Sequence, residues 1–222
     1  MTLQGQTLFP PGGELRLTVD VKDFIGNVGN ILYDAYGSDE SGGKVRFLLP
    51  SNIAPSIAGA EANSNLLAVN LGTFSGNMAK RADIDYDLAA YKSPVVIGGD
   101  IFVRVPMELN HGSGAGNRTV KFVIIAKHVD SDTTETVLDT QETAQTTVPD
   151  TALFNPTIKL NTADTKFNKG DHFRITVEYW LEDNSGTSAL WEIHDPTDSG
   201  ADRNWDNGTT RFTVAVPYKI LI

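Results

Sequence analysis

Residues 172–181 read His-Phe-Arg-Ile-Thr-Val-Glu-Tyr-Trp-Leu, and this stretch decides the fold class. Side chains of a β-strand point alternately to the two faces of a sheet, so alternating apolar and polar residues indicate a strand with one buried face. Turn sequences bound the stretch at residues 168–171 and 183–186. It therefore predicts a half-buried strand, whose inward side chains are Phe173, Ile175, Val177, Tyr179 and Leu181.

The same alternation recurs along the second half of the chain. Residues 100–109 form one such run and residues 119–129 another, and the glycine-rich loop between them predicts a hairpin. Further strands are predicted at residues 133–139, 156–161, 188–194 and 210–222. About seven strands separated by turn signals predict an all-β fold, an antiparallel β-sandwich of jelly-roll type.

The first part of the chain is less regular. Residues 1–13 contain proline and glycine but no charged side chain, and we interpret them as an extended N-terminal arm. Residues 14–94 are predicted to be a β-rich region with strands at 14–21 and 44–49, either separate from the sandwich or part of it. Residues 95–222 are predicted to form the jelly-roll sandwich itself.

One short helix is predicted, at residues 82–92. Acidic side chains near its start complement the positive end of a helix dipole, and Ile84, Leu88 and Tyr91 form an i, i+4, i+7 apolar stripe. We expect this helix to pack on the sandwich. The acidic pattern Asp83-x-Asp-x-Asp87 also resembles the start of a calcium loop, but Leu88 stands where such a loop needs glycine.

Composition excludes several classes of function. The chain of 222 residues has no cysteine, which rules out disulfides, thiolate zinc sites and a cysteine nucleophile. Its 18 basic and 28 acidic residues give a formal charge of −10, which argues against nucleic-acid binding. We find no signal-peptide pattern at the start of the sequence, and the longest apolar run, residues 122–126, is too short to span a bilayer. We therefore expect neither a nucleic-acid partner nor a membrane partner.

A polar loop at residues 195–208 is the best candidate for a metal site. It is dense in the hard oxygen ligands that calcium prefers, and calcium is the one cofactor for which we find a candidate site. The predicted ligands are Asp195, Asp198, Asp202 and Asp206. The histidines show no paired spacing typical of a metal site, so we interpret them as isolated residues, namely His111, His128, His172 and His194.

The sequence lacks the usual marks of an enzyme. There is no Gly-x-Ser-x-Gly motif, and the glycine-rich residues 112–116 lack the Gly-Lys-Ser/Thr ending of a phosphate loop. Glu178 and Glu192 lie on predicted strands and are the candidate pair for a glycosidase-like enzyme on a sandwich scaffold. A carbohydrate-binding or adhesion module is the other alternative, with the stacking candidates Trp180, Trp191 and Trp205.

The last third of the chain resembles jelly-roll structural proteins of tailed viruses. The resemblance is carried by residues 167–180, in which a strand follows Gly170-Asp171, and by the loop Ile193-His-Asp-Pro196. It implies a non-enzymatic virion structural protein on the capsid surface, a capsid decoration, cement or turret subunit. It also implies a homo-oligomer, as a trimer or ring, that binds a major capsid protein or another shell subunit.

Overall fold

The computed structural model describes residues 28–40, 43–51, 68–73, 75–110, 118–148, 151–183, 188–193 and 212–219. Within these ranges the chain is all-β, as predicted, and contains no helix. Accordingly, no described segment is a helix long and apolar enough to cross a membrane. The strands are β1 (Val28–Glu40), β2 (Gly43–Pro50), β3 (Ala68–Thr73), β4 (Gly76–Leu88), β5 (Val95–Arg104), β6 (Met107–Asn110), β7 (Arg118–Val129), β8 (Glu135–Glu142), β9 (Thr146–Val148), β10 (Thr151–Phe154), β11 (Thr157–Phe167), β12 (His172–Asp183), β13 (Ser188–Ile193) and β14 (Thr213–Lys219).

Ten of these strands form one large sheet. Their order is β11-β5-β14-β1-β2-β4-β12-β7-β8, and β9 pairs with β7 beside β8. All described pairs are antiparallel except β2 with β4. The edge strands β11 and β8 lie against each other, so the large sheet is nearly closed. Near closure leaves little unpaired strand edge available to other chains.

The other four strands form a small sheet, in the order β10-β6-β13-β3, that covers the inner face of the large one. Trp191 of β13 is fully buried and stacks on Tyr179 of β12 and Phe122 of β7, with ring centroids 5.4 and 6.3 Å apart. Its indole Nε1 donates to the sulfur of Met107 on β6 at 3.4 Å. The hydrophobic core therefore includes the space between the two sheets.

Strand β12 confirms the prediction made from residues 172–181. It runs between β4 and β7 in the large sheet. The five predicted inward side chains, from Phe173 to Leu181, are each at most 1% exposed. Burying a large apolar side chain contributes about 1.5–3 kcal/mol, so this single strand supplies a substantial part of the core.

The predicted helix at residues 82–92 is wrong, because residues 82–88 belong to β4 and residues 89–92 are not helical. Ile84, Tyr86 and Leu88 are buried, and the aspartates between them point to the other face. Two periods coexist in this segment: the helical stripe, and the alternation Asp-Ile-Asp-Tyr-Asp-Leu over residues 83–88. Pairing with β12, in which Tyr86 lies opposite Ile175, selects the period of two.

The predicted strand at residues 100–109 is interrupted at Pro106. β5 ends at Arg104 and joins the large sheet, whereas β6 begins at Met107 and joins the small sheet. Proline has no N–H to donate to a strand ladder, and the chain changes sheet at this point. The predicted hairpin with residues 119–129 is therefore wrong, since β7 pairs with β12, β8 and β9.

The remaining predicted strands are confirmed within the described ranges. The predictions at 44–49, 119–129, 133–139, 156–161, 188–194 and 210–222 correspond to β2, β7, β8, β11, β13 and β14. β11 extends six residues further than predicted, to Phe167. The predicted arm at residues 1–13 and the predicted strand at 14–21 lie outside the described residues.

Candidate functional site

An apolar groove opens between the two sheets, where the β8–β9 connection faces the β10–β11 connection. Its volume is about 370 Å³. None of its lining residues carries a charge, although the whole chain has a formal charge of −10. The lining consists of Val120, Phe122, Thr143, Ala144, Thr146, Phe154, Asn155 and Pro156.

Aromatic rings pack together at the floor of this groove. The rings of Phe122 and Phe154 meet edge to face, with centroids 5.2 Å apart, and Phe122 also packs on Trp191 of the core. Polar atoms of the lining are already used: Thr143 Oγ1 accepts from the N–H of Phe122 at 3.0 Å, and Asn155 Oδ1 accepts from Arg104 at 3.0 Å. The groove can therefore hold an apolar side chain or segment, and it offers no acid or base for proton transfer.

An ion-pair network occupies the outer face of the large sheet around Arg174. Its guanidinium donates to both oxygens of Asp87, at 2.5 and 2.8 Å, and also contacts Asp85 and Glu135. The hydrogen bonds to Asp87, followed by the charges of all three carboxylates, raise the pKa of Arg174 above its ordinary value. Since Arg174 lies on β12 and the carboxylates come from β4 and β8, the network joins residues of three strands and reaches across β7.

The predicted glycosidase pair is not brought together. Glu178 lies on the outer face of the large sheet, where it accepts hydrogen bonds from Lys80 at 3.2 Å and from the indole of Trp180 at 2.8 Å. Glu192 belongs to β13 of the small sheet, which covers the opposite face. The two strand positions therefore belong to different sheets.

The two predicted sugar-stacking tryptophans that the structure describes do not form a common platform. Trp191 is fully buried between the sheets, so no sugar can reach its ring. Trp180 lies on the outer face beneath the Lys121 ammonium, which is 5.2 Å from the ring centroid. Trp205 lies outside the described residues.

The structure brings one histidine next to two carboxylates, which the sequence analysis missed. Nε2 of His128 lies 2.9 Å from Oδ2 of Asp171 and 3.4 Å from Oδ1 of Asp130. The interpretation of His128 as an isolated residue is therefore wrong. The residues are 41 positions or more apart except for the local spacing His128-x-Asp130, and that short spacing was the only available signal.

The other histidines and the predicted calcium ligands are separate from this cluster or outside the described ranges. His172 lies on β12 with its Nε2 3.6 Å from Asp87. His111 and His194 lie outside the described residues. The predicted calcium ligands Asp195, Asp198, Asp202 and Asp206 also lie outside them, so calcium binding there stays a prediction.

A short apolar row is exposed on the outer face of the large sheet. Phe102 of β5 lies opposite Ala215 of β14, which in turn lies opposite Leu32 of β1. Phe102 is 45% exposed and Leu32 is 49% exposed. The three residues thus form a continuous line across three strands, instead of the scattered exposure that is normal for single apolar residues.

Comparison with known proteins assigns no family. No protein-family model matches the chain, and no curated protein does. Among solved structures, a CocE/NonD family hydrolase from Staphylococcus aureus matches at 9% identity and a TM-score of 0.47, over 84% of this chain and 36% of that chain. An aminopeptidase from a marine sediment archaeon, Thaumarchaeota archaeon, matches at 14% identity and a TM-score of 0.44, over 84% and 33%.

A viral capsid structure is also similar at a low level. The VP2 subviral particle of infectious bursal disease virus matches at 11% identity and a TM-score of 0.29, over 93% of this chain and 59% of that chain. The chain thus spans about a third of the two enzymes and under two thirds of the capsid protein. Similarity of this extent assigns neither a family nor an activity.

Proposed function

We propose that this protein is a non-enzymatic structural subunit of a virus particle, a capsid decoration, cement or turret subunit located on the capsid surface. In this proposal it assembles into a homo-oligomer, a trimer or a ring, and binds shell subunits. The proposal includes the assignment of its two sheets to a jelly-roll sandwich. The observation that carries it is the uncharged apolar groove between the sheets.

The groove matches one segment of the chain in chemistry. Residues 1–13 have no charged side chain and include Leu3, Leu8 and Phe9, followed by two prolines. An acidic chain repels its own copies through charged surfaces, and an uncharged segment meeting an uncharged groove avoids that cost. We therefore assign the groove as the place where the arm of a neighbouring copy docks, with a leucine or phenylalanine side chain against Phe122 and Phe154.

The engagement of the outer carboxylates also supports a non-enzymatic role. General acid–base catalysis needs titratable groups at a cleft within reach of a substrate. Arg174 and Lys80 instead engage the carboxylates of Asp85, Asp87 and Glu178 in contacts between strands. The groove itself is lined by no titratable side chain.

Light scattering on the purified full chain tests the proposal. We expect a defined trimer or ring, and we expect deletion of residues 1–13 to convert it to a folded monomer. Ala144→Arg places a charged side chain at an exposed position of the groove and should have the same effect. Ala90→Arg changes an exposed alanine outside the groove and serves as the matched control.

Each possible result tests a different part of the proposal. A wild-type protein that is monomeric at every concentration contradicts self-assembly. An oligomer that survives the deletion contradicts the role of the arm, and one that survives Ala144→Arg contradicts the role of the groove. Turnover of an ester, amide or glycoside substrate by the wild-type protein would contradict the non-enzymatic assignment.

A further inference from the structure

We propose that His128, Asp130 and Asp171 bind one divalent transition-metal cation of the zinc type. The site lies where the β7–β8 turn, which carries Asp130, meets the β11–β12 turn, which carries Asp171. It is independent of the assembly role proposed above and of the predicted calcium loop at residues 195–208.

Two of the three separations between the ligand atoms are already close to those that a metal requires. The ligand atoms all lie within 4.8 Å of one another. Two ligand atoms at about 2.1 Å from a tetrahedral zinc ion are about 3.4 Å apart. Nε2 of His128 and Oδ1 of Asp130 are 3.4 Å apart, and Nε2 lies 2.9 Å from Oδ2 of Asp171. A cation bound between His128 and Asp171 therefore has to widen the contact between these two residues by about 0.5 Å.

Contacts around the cluster hold two of the ligands in place. The Asp171 carboxylate accepts the backbone N–H of Asn168 at 2.6 Å and that of Ser131 at 3.2 Å. The ring of His128 packs on Phe167, with centroids 4.1 Å apart. Partners of this kind orient metal ligands in proteins, and they reduce the rearrangement that binding needs.

Backbone hydrogen bonds also hold the β11–β12 turn. Gly170 N–H donates to the carbonyl of Tyr91 at 2.9 Å, and Tyr91 N–H donates to the carbonyl of Asp171 at 2.9 Å. Gly170 has a φ of 97°, and a Cβ at this position would lie 3.1 Å from Cβ of Ser131. The two turns are therefore in close contact before any ion is bound.

The ligand set indicates the class of metal. One imidazole nitrogen and two carboxylate oxygens suit zinc and its neighbours, whereas calcium and magnesium prefer oxygen ligands throughout. The Asp130 side chain is 42% exposed, so an ion can enter and water can complete the coordination.

The test uses the full chain after treatment with a chelator. Calorimetric titration with Zn²⁺ measures affinity, and the visible absorption of Co²⁺ reports the ligand geometry. We expect one ion per chain, an intense tetrahedral Co²⁺ spectrum, and a rise in the thermal midpoint with Zn²⁺ concentration. His128→Gln and Asp130→Asn should each weaken Zn²⁺ binding at least about tenfold and abolish the spectrum.

His172→Gln is the matched control, because this histidine also lies near an aspartate but outside the cluster. It should retain the affinity and spectrum of the wild type. Asp130→Asn changes an exposed side chain, so it remains informative if His128→Gln does not fold. Absence of Zn²⁺ binding by the wild type, or equal binding by Asp130→Asn and the wild type, would overturn the proposal.

Discussion

Oδ2 of Asp139 on β8 accepts a hydrogen bond from the backbone N–H of Asn161 on β11, at 2.7 Å. These strands stand at opposite ends of the strand order of the large sheet. A side-chain carboxylate thus takes the place of a strand-to-strand backbone bond and joins the two edges. The bond satisfies an amide that would otherwise face solvent or another chain.

Asp139→Ala should remove this hydrogen bond and weaken the contact between β8 and β11. We expect a loss of about 0.5–1.5 kcal/mol of stability, the usual net contribution of one hydrogen bond, and faster amide exchange in β11 around Asn161. Hydrogen–deuterium exchange by mass spectrometry measures this. Asp139→Asn keeps an acceptor oxygen and should remain close to the wild type, and unchanged exchange in Asp139→Ala would show that the bond does not hold the edge.

Arg118 and Asp183 form a fully buried ion pair, with Nε 2.7 Å from Oδ2 and side chains that are 0% and 1% exposed. Arg118→Met should cost about 3–5 kcal/mol, because it leaves a buried carboxylate without its charged partner. The double variant Arg118→Met with Asp183→Leu should recover much of the loss, since it removes both charges. Urea denaturation measures the difference, and a double variant as unstable as the single one would contradict this account.

Arg174 should contribute more than an exposed cation of the same sheet. We expect Arg174→Met to cost about 1–2 kcal/mol, because the bidentate bond to Asp87 is lost and three strands lose a common contact. Lys80→Met removes a 43% exposed side chain that contacts Asp83 and Glu178, and should cost about 0.5 kcal/mol or less. Equal costs by urea denaturation would mean that the Arg174 network adds nothing beyond a surface pair.

Glu135 should contribute to the loss of stability in acid. Its hydrogen bond from Lys127, followed by the charges of Lys127 and Arg174, lowers the pKa of Glu135 in the folded state. The stabilisation is therefore present above the unfolded pKa of about 4.3 and disappears as the pH falls through the folded value. Glu135→Gln should flatten the pH dependence of stability below about pH 5 by a few tenths of a kcal/mol, since the side chain is partly exposed.

The stability of the folded protein should decrease in alkali because of three hydrogen-bonded tyrosine hydroxyls. The hydroxyl of Tyr218 lies 2.8 Å from that of Tyr33 and 2.9 Å from that of Tyr91. Burial is the main reason that the pKa of each of the three is raised above the ordinary value. Their stabilisation is therefore complete below about pH 10 and is lost as the pH rises beyond it.

Ultraviolet titration checks this prediction. At least four of the six tyrosines should ionise only when the protein unfolds, because burial also raises the pKa of Tyr179. The unfolded chain should titrate all six near pH 10. Tyr218→Phe removes both hydroxyl contacts and should cost about 1 kcal/mol. Six tyrosines that titrate together in the folded protein would contradict the buried arrangement.

Local patterning was sufficient for the strands whose period is unambiguous. Phe173 to Leu181 alternate without interruption, and every predicted inward side chain is buried. Residues 83–88 carry two periods at once, and there the prediction was wrong because the acidic helix-start signal was given more weight than the alternation. The interruption at Pro106 could have been predicted, since proline is tolerated only at strand edges and ends.

Contacts between distant segments could not be predicted in this way. Arg118 and Asp183 are 65 residues apart, and His128 and Asp171 are 43 apart. Alternation predicts which face of its own strand a side chain occupies, but it does not predict which strand lies beside it. The glycine loop after β6 was therefore interpreted as a hairpin connection, although β6 and β7 do not pair.

The residues alone thus established an all-β chain, most of its strands and the inward side of its central strand, because these depend on a repeat of two positions within each segment. Which strands became neighbours was decided by the tertiary structure, since pairing depends on the burial of all inner faces together. The near closure of the large sheet, the groove between the sheets and the His128–Asp130–Asp171 cluster all follow from that pairing. They exist only once distant strands have met.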